Sequence, residues 1–226
     1  TMLENMEREY EGFSKAVKTV MRESERGTLR GVHGPVASLV RADERFALAL
    51  ETAVGAAMQN IVVDSPEDAK LAIEFLKRRD GGRATFLPLS SIRGSRLDRE
   101  PEGERGYLGL AIDLAQFDRE YESVFTNLLG RTAVAETLGD AVRIAKRFSN
   151  RFRIVTLDGQ VINAGGSMTG GSAARGTGVL SRANEIDRLR AALERLRGDL
   201  ASCEKDLGEA ERALAAARHE LEAAQA

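Results

Sequence analysis

The chain has 226 residues, 42% of them hydrophobic and 30% charged, with a formal net charge of −2. That length and apolar content suffice for one core or two small ones and exclude a disordered chain. A single cysteine, Cys203, excludes an internal disulfide framework and a CxxC metal knuckle, and points to a reducing, cytoplasmic setting. No apolar run approaches the ~18 residues that a membrane span needs, and the opening Thr-Met-Leu-Glu is no signal peptide.

At the N-terminus Leu3, Met6, Tyr10, Phe13, Val17 and Val20 alternate steps of three and four, which is a heptad seam. Residues 1–26 therefore read as a helical arm, with Thr1 an appended residue. Two dispositions remain open for it: a strand of a coiled coil, or an amphipathic helix packed on the domain that follows.

Gly27 and Gly31 end this arm, and Gly34-Pro35 is a turn signal before Val36 to Val40. Residues 44–59 read as a helix with an Ala-rich face, and Asn60 to Val63 as a β-branched strand. Ser65 caps a helix with Pro66 in its first turn, ending near Arg79; Gly81-Gly82 closes it, and Arg83 to Leu87 form a second strand. Ser91 to Gly106, rich in Arg, Glu, Gly and Pro, reads as a solvated connection.

A related order follows: helix 120–129, Gly130, strand 132–136, helix 140–148, strand 152–156. Matching Gly55 with Gly130, Asp68-Ala69 with Asp140-Ala141 and Ala84–Leu87 with Arg153–Thr156 predicts two similar subdomains. Next come Thr156-Leu-Asp-Gly159, Val161-Ile162 and the run Asn-Ala-Gly-Gly-Ser-Met-Thr-Gly-Gly-Ser at 163–172. Glycine permits positive φ and close backbone approach, so such a run suits packing against another backbone. A phosphate cradle of the Walker type is not supported, because no Lys follows.

From Ile186 the heptad alternation resumes through Leu189, Leu193, Leu196, Leu200, Cys203, Leu207, Leu214 and Leu221. A helix over 183–226 would run on the order of 60 Å, longer than a domain of this size covers, so it needs a partner beyond the domain. Pairing with the first arm has to be antiparallel, because the chain enters by one and leaves by the other. The pattern reaches Gln225-Ala226 without a stop signal, as expected of a longer coil cut short.

Charge is balanced along the chain: residues 1–30 carry six basic and six acidic side chains, residues 182–226 eight and ten. Contact with nucleic acid would thus need local clusters. Lys77-Arg78-Arg79 is one; Arg143, Lys146, Arg147 and Arg151 on one helix face are another. Each reads more readily as a solvated face, and cations at a helix C-terminus are favoured in any case. His33 and His219 read as structural, Cys203 as a seam filler, and nothing in the spacing of Asp64, Asp113 and Asp158 singles out a catalytic pair.

Gly-Val-His-Gly-Pro-Val (31–36), Gln-Asn-Ile-Val-Val-Asp (59–64), Gly-Gly-Arg-Ala-Thr-Phe-Leu-Pro-Leu (81–89) and the run at 163–172 together resemble the hinge of structural-maintenance-of-chromosomes (SMC) proteins, most closely the bacterial condensin type. The resemblance implies an α/β (α+β) two-subdomain hinge fold with an antiparallel coiled coil formed by the terminal helices. Its boundaries would be arm 1–26, hinge 27–181 (subdomain one about 31–105, subdomain two about 106–180) and arm 182–226. It implies a homodimer whose contact includes Gly165, Gly166, Ser167, Met168, Gly170 and Gly171. It also implies weak non-specific DNA binding near the coil junction, adding Lys18, Arg22, Arg26, Arg30, Arg175 and Arg182 to the candidates. ATP and Mg are expected in an ATPase head outside this chain, as are kleisin and accessory partners, with no cofactor here and a nucleoid-associated role in chromosome condensation and segregation. The competing reading is an α/β ligand-binding or enzyme domain with helical extensions.

Overall fold

The computed structural model describes residues 12–172 and 178–225, in two units that meet between Asn184 and Glu185. The first unit is built from two copies of one arrangement. In the first copy, β1 (Val32–Pro35), a 3-10 turn (Val36–Ser38), β2 (Arg41–Ala42) and α2 (Glu44–Val54) precede β3 (Ile61–Val63), α3 (Pro66–Arg78) and β4 (Phe86–Pro88). A preceding helix, α1, spans Lys15–Glu25. In the second copy, β5 (Tyr107–Leu110), a 3-10 turn (Ala111–Leu114), β6 (Ala115–Gln116) and α4 (Glu122–Leu129) precede β7 (Thr132–Ala135), α5 (Leu138–Arg147) and β8 (Arg153–Thr156). A short hairpin, β9 (Val161–Ile162) and β10 (Met168–Thr169), follows, and then α6 (Val179–Gln225).

The two halves agree in detail. β3 and β4 are parallel across α3, and β7 and β8 are parallel across α5. β1 joins β3 antiparallel with an irregularity between Val32 and Gly34; β5 joins β7 antiparallel with one between Tyr107 and Gly109. Ser65 caps α3 by accepting from the Asp68 amide at 3.2 Å, and Thr137 caps α5 by accepting from the Asp140 amide at 3.1 Å. β2 pairs with β6, Arg41 opposite Gln116, so the halves join through the same element of each. The ladder sets Phe86 against Ile154, one residue from the match read in the sequence, because Ile61 pairs with Phe86 and Ala133 with Ile154.

One apolar core runs through both halves, with Leu50, Leu110, Phe125, Leu129, Ile144 and Ile154 fully buried. A second lies beneath α1. There Val17 and Val20, 1% and 0% exposed, pack with Ile61, Val63, Ala72 and Leu76. The described part of the first arm is therefore an amphipathic helix on α3 and β1, and these seam positions serve the domain. Burying one such Val is worth ~1.5–3 kcal/mol, which explains why the seam faces inward. Leu3, Met6 and Tyr10 lie outside the described residues.

Three sequence expectations shift. The helix from Glu44 leaves α geometry at Gly55 (φ 56) and continues to Gln59 as a 3-10 turn. The strand read at 83–87 falls at Phe86–Pro88, where pairing with β3 fixes it. The connection 91–106 is pinned to the fold: the Leu97 amide donates to the Gly130 carbonyl at 3.1 Å, Asn127 donates to the Arg93 carbonyl at 2.6 Å, and Leu97 is buried. Gly94 lies so close to the backbone of Thr126 and Asn127 that no side chain fits. In the second unit α6 is continuous to Gln225, and Leu193, Leu200, Leu207, Leu214 and Leu221 stand exposed.

Candidate dimerisation interface

The two main sheets end in short strands with open outer edges. The first sheet has the order β1-β3-β4 and the second β10-β9-β8-β7-β5, so β1 and β4 end the first and β10 and β5 the second; β4 and β10 are the ends formed by the last strand of each half. An unpaired strand edge is a template for pairing with another chain.

The local sequence makes β10. Thr156, fully buried, accepts from the Gln160 amide at 2.9 Å and donates to Asp158, closing the turn through Gly159 (φ 80) that starts β9. Asn163 to Ser167 then reverse the chain, with Gly165 and Gly166 at φ 87 and 94. The Gly165 amide donates to Asn150 and the Gly166 amide to Asn163, both at 2.9 Å. Beyond β10 the Gln160 side chain stands in for a strand neighbour: it accepts from the Gly171 amide at 2.9 Å and donates to the Gly171 carbonyl at 3.0 Å.

This assigns the glycines an intramolecular task. Gly165, Gly166 and Gly171 hold positive φ, and a Cβ on Gly170 would collide with the Gln160 amide oxygen. The outward groups are Met168, 55% exposed, and the backbone of its strand. The Asn163 amide donates to the Ser167 carbonyl at 2.8 Å, so that pair is the hydrogen-bonded kind. Antiparallel alternation then turns the Met168 amide and carbonyl away from β9, to the open side.

The same reasoning applies to β4. Ile61 donates to the Thr85 carbonyl at 2.9 Å and Leu89 to the Val63 carbonyl at 2.8 Å, so Thr85, Leu87 and Leu89 bond inward. Phe86 and Pro88 face outward. Pro88 has no N–H, and its carbonyl already accepts from Ser91 and Ile92 at 3.1 and 2.8 Å. Within these two strands the outward backbone groups are thus one amide and one carbonyl each: those of Phe86 on β4 and of Met168 on β10.

The basic candidates do not form one patch. Lys18, Arg22 and Arg26 lie along α1 or at its end, with Arg26 paired to Glu23 at 2.8 Å; Arg30 is exposed beyond it. Lys77, Arg78 and Arg79 are exposed at the end of α3, with Arg79 over the Phe75 ring. Arg143 is tied to Asp140 and to the Arg105 carbonyl, while Lys146 is exposed on α5. Arg147 and Arg151 share a cavity with Arg99 and Arg131, which sequence reasoning passed over because they lie far apart in isolated contexts. Arg182 is partly buried and bonds the Gly178 carbonyl; Arg175 lies outside the described residues.

His33 bridges the two halves, contacting Asp64 at 2.8 Å and the Tyr121 hydroxyl at 3.1 Å, while burial pushes Tyr121 up to about 12. Among the described residues no three of His, Cys, Asp and Glu are placed to hold a metal, and no helix is long and apolar enough to cross a membrane.

The model of the SMC protein flexible hinge domain matches residues 29–145, and the chain belongs to that family. It is a hinge domain rather than a catalytic one. The chromosome partition protein Smc of Bacillus subtilis is 42% identical over 191 residues, 82% of this chain and 16% of that protein. The chain thus spans about a sixth of the length of the curated relatives it matches. A Geobacillus stearothermophilus SMC hinge domain, solved as an asymmetric dimer, superposes with a TM-score of 0.82 at 41% identity, covering 97% of this chain and 86% of that one. The Pyrococcus furiosus SMC hinge domain matches at 0.60 and 30% identity, covering 77% and 89%.

Proposed function

We propose that this chain joins two copies of a longer chromosome-partition protein by pairing the β4 edge of one copy with the β10 edge of the other. The observation that supports this reading is the match between the edges, one amide and one carbonyl at Phe86 and the same at Met168. Antiparallel apposition would satisfy all four groups by β-augmentation. Two-fold symmetry repeats the contact, since each copy supplies one edge of each kind. The glycines of the segment shape β10, and Met168 among them makes the contact.

The exposed heptad leucines of α6 support a coiled coil with N-terminal sequence of the same polypeptide, antiparallel because the hinge reverses the chain. In the whole protein the reading is ATP-driven chromosome condensation and segregation at the nucleoid, with ATP, Mg and the kleisin bound by regions beyond this chain. Weak non-specific DNA contact falls to the basic residues of α1, α3 and α5. Sedimentation equilibrium over nanomolar to micromolar concentration tests the central point: a dimer is expected, and a monomer at micromolar concentration refutes it. DNA affinity measured at several salt concentrations tests the last point, and absence of binding at low salt overturns it.

A further inference from the structure

A cavity of about 350 Å³ opens in the second half of the first unit. Its lining includes four arginines, Arg99, Arg131, Arg147 and Arg151, together with Phe148 and Phe152. The fold gathers them from three places. Arg147 ends α5, and Arg151 follows the left-handed turn at Ser149 and Asn150 (φ 54 and 51) that leads into β8. Arg131 lies between α4 and β7, and Arg99 on the pinned connection, two residues past Leu97.

These charges are poorly neutralised. Arg147 pairs with Glu104 at 2.8 Å, Arg131 donates to the Arg96 carbonyl at 3.4 Å, and Arg99 lies over the Phe148 ring at 5.7 Å. Among the described residues no carboxylate lies within ion-pair distance of Arg99, Arg131 or Arg151, and Asp98 is the one acid on the wall. Like charges gathered in one concavity repel, which disfavours the empty arrangement. Capping of the helix does not account for them. The last carbonyls of α5 accept from backbone amides: Ile144 from Phe148 at 3.0 Å, Ala145 from Asn150 at 2.8 Å and Lys146 from Ser149 at 3.2 Å. None of the four guanidiniums is needed to cap the helix.

We infer that the cavity binds a phosphomonoester, the dianionic terminal phosphate of a nucleic-acid strand or of a free nucleotide. Guanidinium forks match phosphate oxygens in pairs. The surplus of positive charge matches a dianion better than the single charge of an internal phosphodiester. The volume lies at the low end for small-ligand pockets, room for one nucleotide-sized group. The inference goes beyond general DNA contact by Arg147 and Arg151: the recognised feature is a phosphorylated end, and Arg99 and Arg131 are part of it.

The test uses the full chain and Arg99→Gln/Arg151→Gln, two exposed side chains that make no ion pair among the described residues; circular dichroism and sedimentation check that the variant keeps its structure and assembly. Fluorescence anisotropy compares a single-stranded oligonucleotide bearing a 5′-phosphate with the same strand bearing a 5′-hydroxyl. The phosphorylated strand should bind about tenfold tighter, the scale of one charge-assisted hydrogen bond. The difference should vanish in the variant and shrink below about pH 6, where the phosphate takes up a proton. Competition by AMP identifies a free nucleotide as a ligand; its failure to compete restricts the site to strand ends. Equal binding of the two strands by the wild type, or discrimination retained by the variant, overturns the inference and leaves general DNA contact standing. Binding of AMP that the variant abolishes, with no strand bound at all, supports the site and removes the DNA contact.

Discussion

Met168→Pro isolates the interface from the fold. The Met168 amide points away from β9, so replacing it removes no hydrogen bond of the hairpin, and proline is tolerated on an edge strand at such a position. What disappears is the outward donor. In the proposed pairing the partner's Phe86 carbonyl loses its hydrogen bond, worth ~1 kcal/mol net, and left buried without a donor it costs up to ~3 kcal/mol. Two symmetric contacts double the effect to about 2–6 kcal/mol, a rise in Kd of about thirtyfold or more. Sedimentation equilibrium reads the Kd, and amide exchange at Thr169 reports whether the hairpin is intact. Thr169→Pro is the contrast, because the Thr169 amide bonds to Val161 across the hairpin and its loss disrupts β10 itself. A Met168→Pro protein that keeps its hairpin and dimerises with the wild-type Kd refutes the assignment of this edge.

Other consequences concern stability. Val20→Ala should destabilise the first unit by about 1.5–3 kcal/mol in urea titration, since the side chain is fully buried beneath α1; a change below about 0.5 kcal/mol would mean that α1 is not part of the core. Gly94→Ala should cost about 1–3 kcal/mol or more, because the new methyl meets the backbone of Thr126 and Asn127 rather than a movable side chain. The Thr137 hydroxyl, then Arg143, holds the Asp140 carboxyl below its usual range. A depressed pKa contributes stability that is present above the unfolded value and lost as pH falls through the folded one. Thermal unfolding of the wild type should therefore weaken below about pH 4, and Asp140→Asn should flatten that part of the profile; an unchanged profile would remove Asp140 from the account.

Much of this architecture was legible because its signals are local. Ser65-Pro66, the β-branched run before it and the recurrence of Asp-Ala at 68 and 140 announce a strand-helix-strand unit and its repeat. The direction of the first arm was not, because steps of three and four describe a coil seam and a helix lying on a domain equally well; the deciding contacts, Ile61 and Val63, are remote in the chain. The glycines at 165–171 were legible as special, but their conformational role within the hairpin was not. Positive φ and a clash with Gln160 become visible only when the hairpin is built, and the role of Pro88 in thinning the β4 edge depends on register. The arginine cavity had no linear signature, since Arg99 sits in a stretch that reads as solvated.

The economy of the two edges bears on how such a joint opens. In the proposed pairing, one residue pair per contact is a small interface strand, so neither contact alone would hold two copies together firmly. The second is made at high effective concentration once the first has formed, which is where most of the apparent affinity arises. A mixed dimer of wild type with Met168→Pro tests this, because it keeps one intact contact and loses the other. If the two contacts contribute additively, the mixed dimer should fall midway between the homodimers in free energy, so that its Kd is near their geometric mean. Its intact contact should also open faster than either contact of the wild type. Fluorescent labels beside β4 and β10 on opposite copies would report that opening. A mixed dimer as tight as the wild type would mean that one contact suffices, and one as weak as the Met168→Pro homodimer that neither stands without the other.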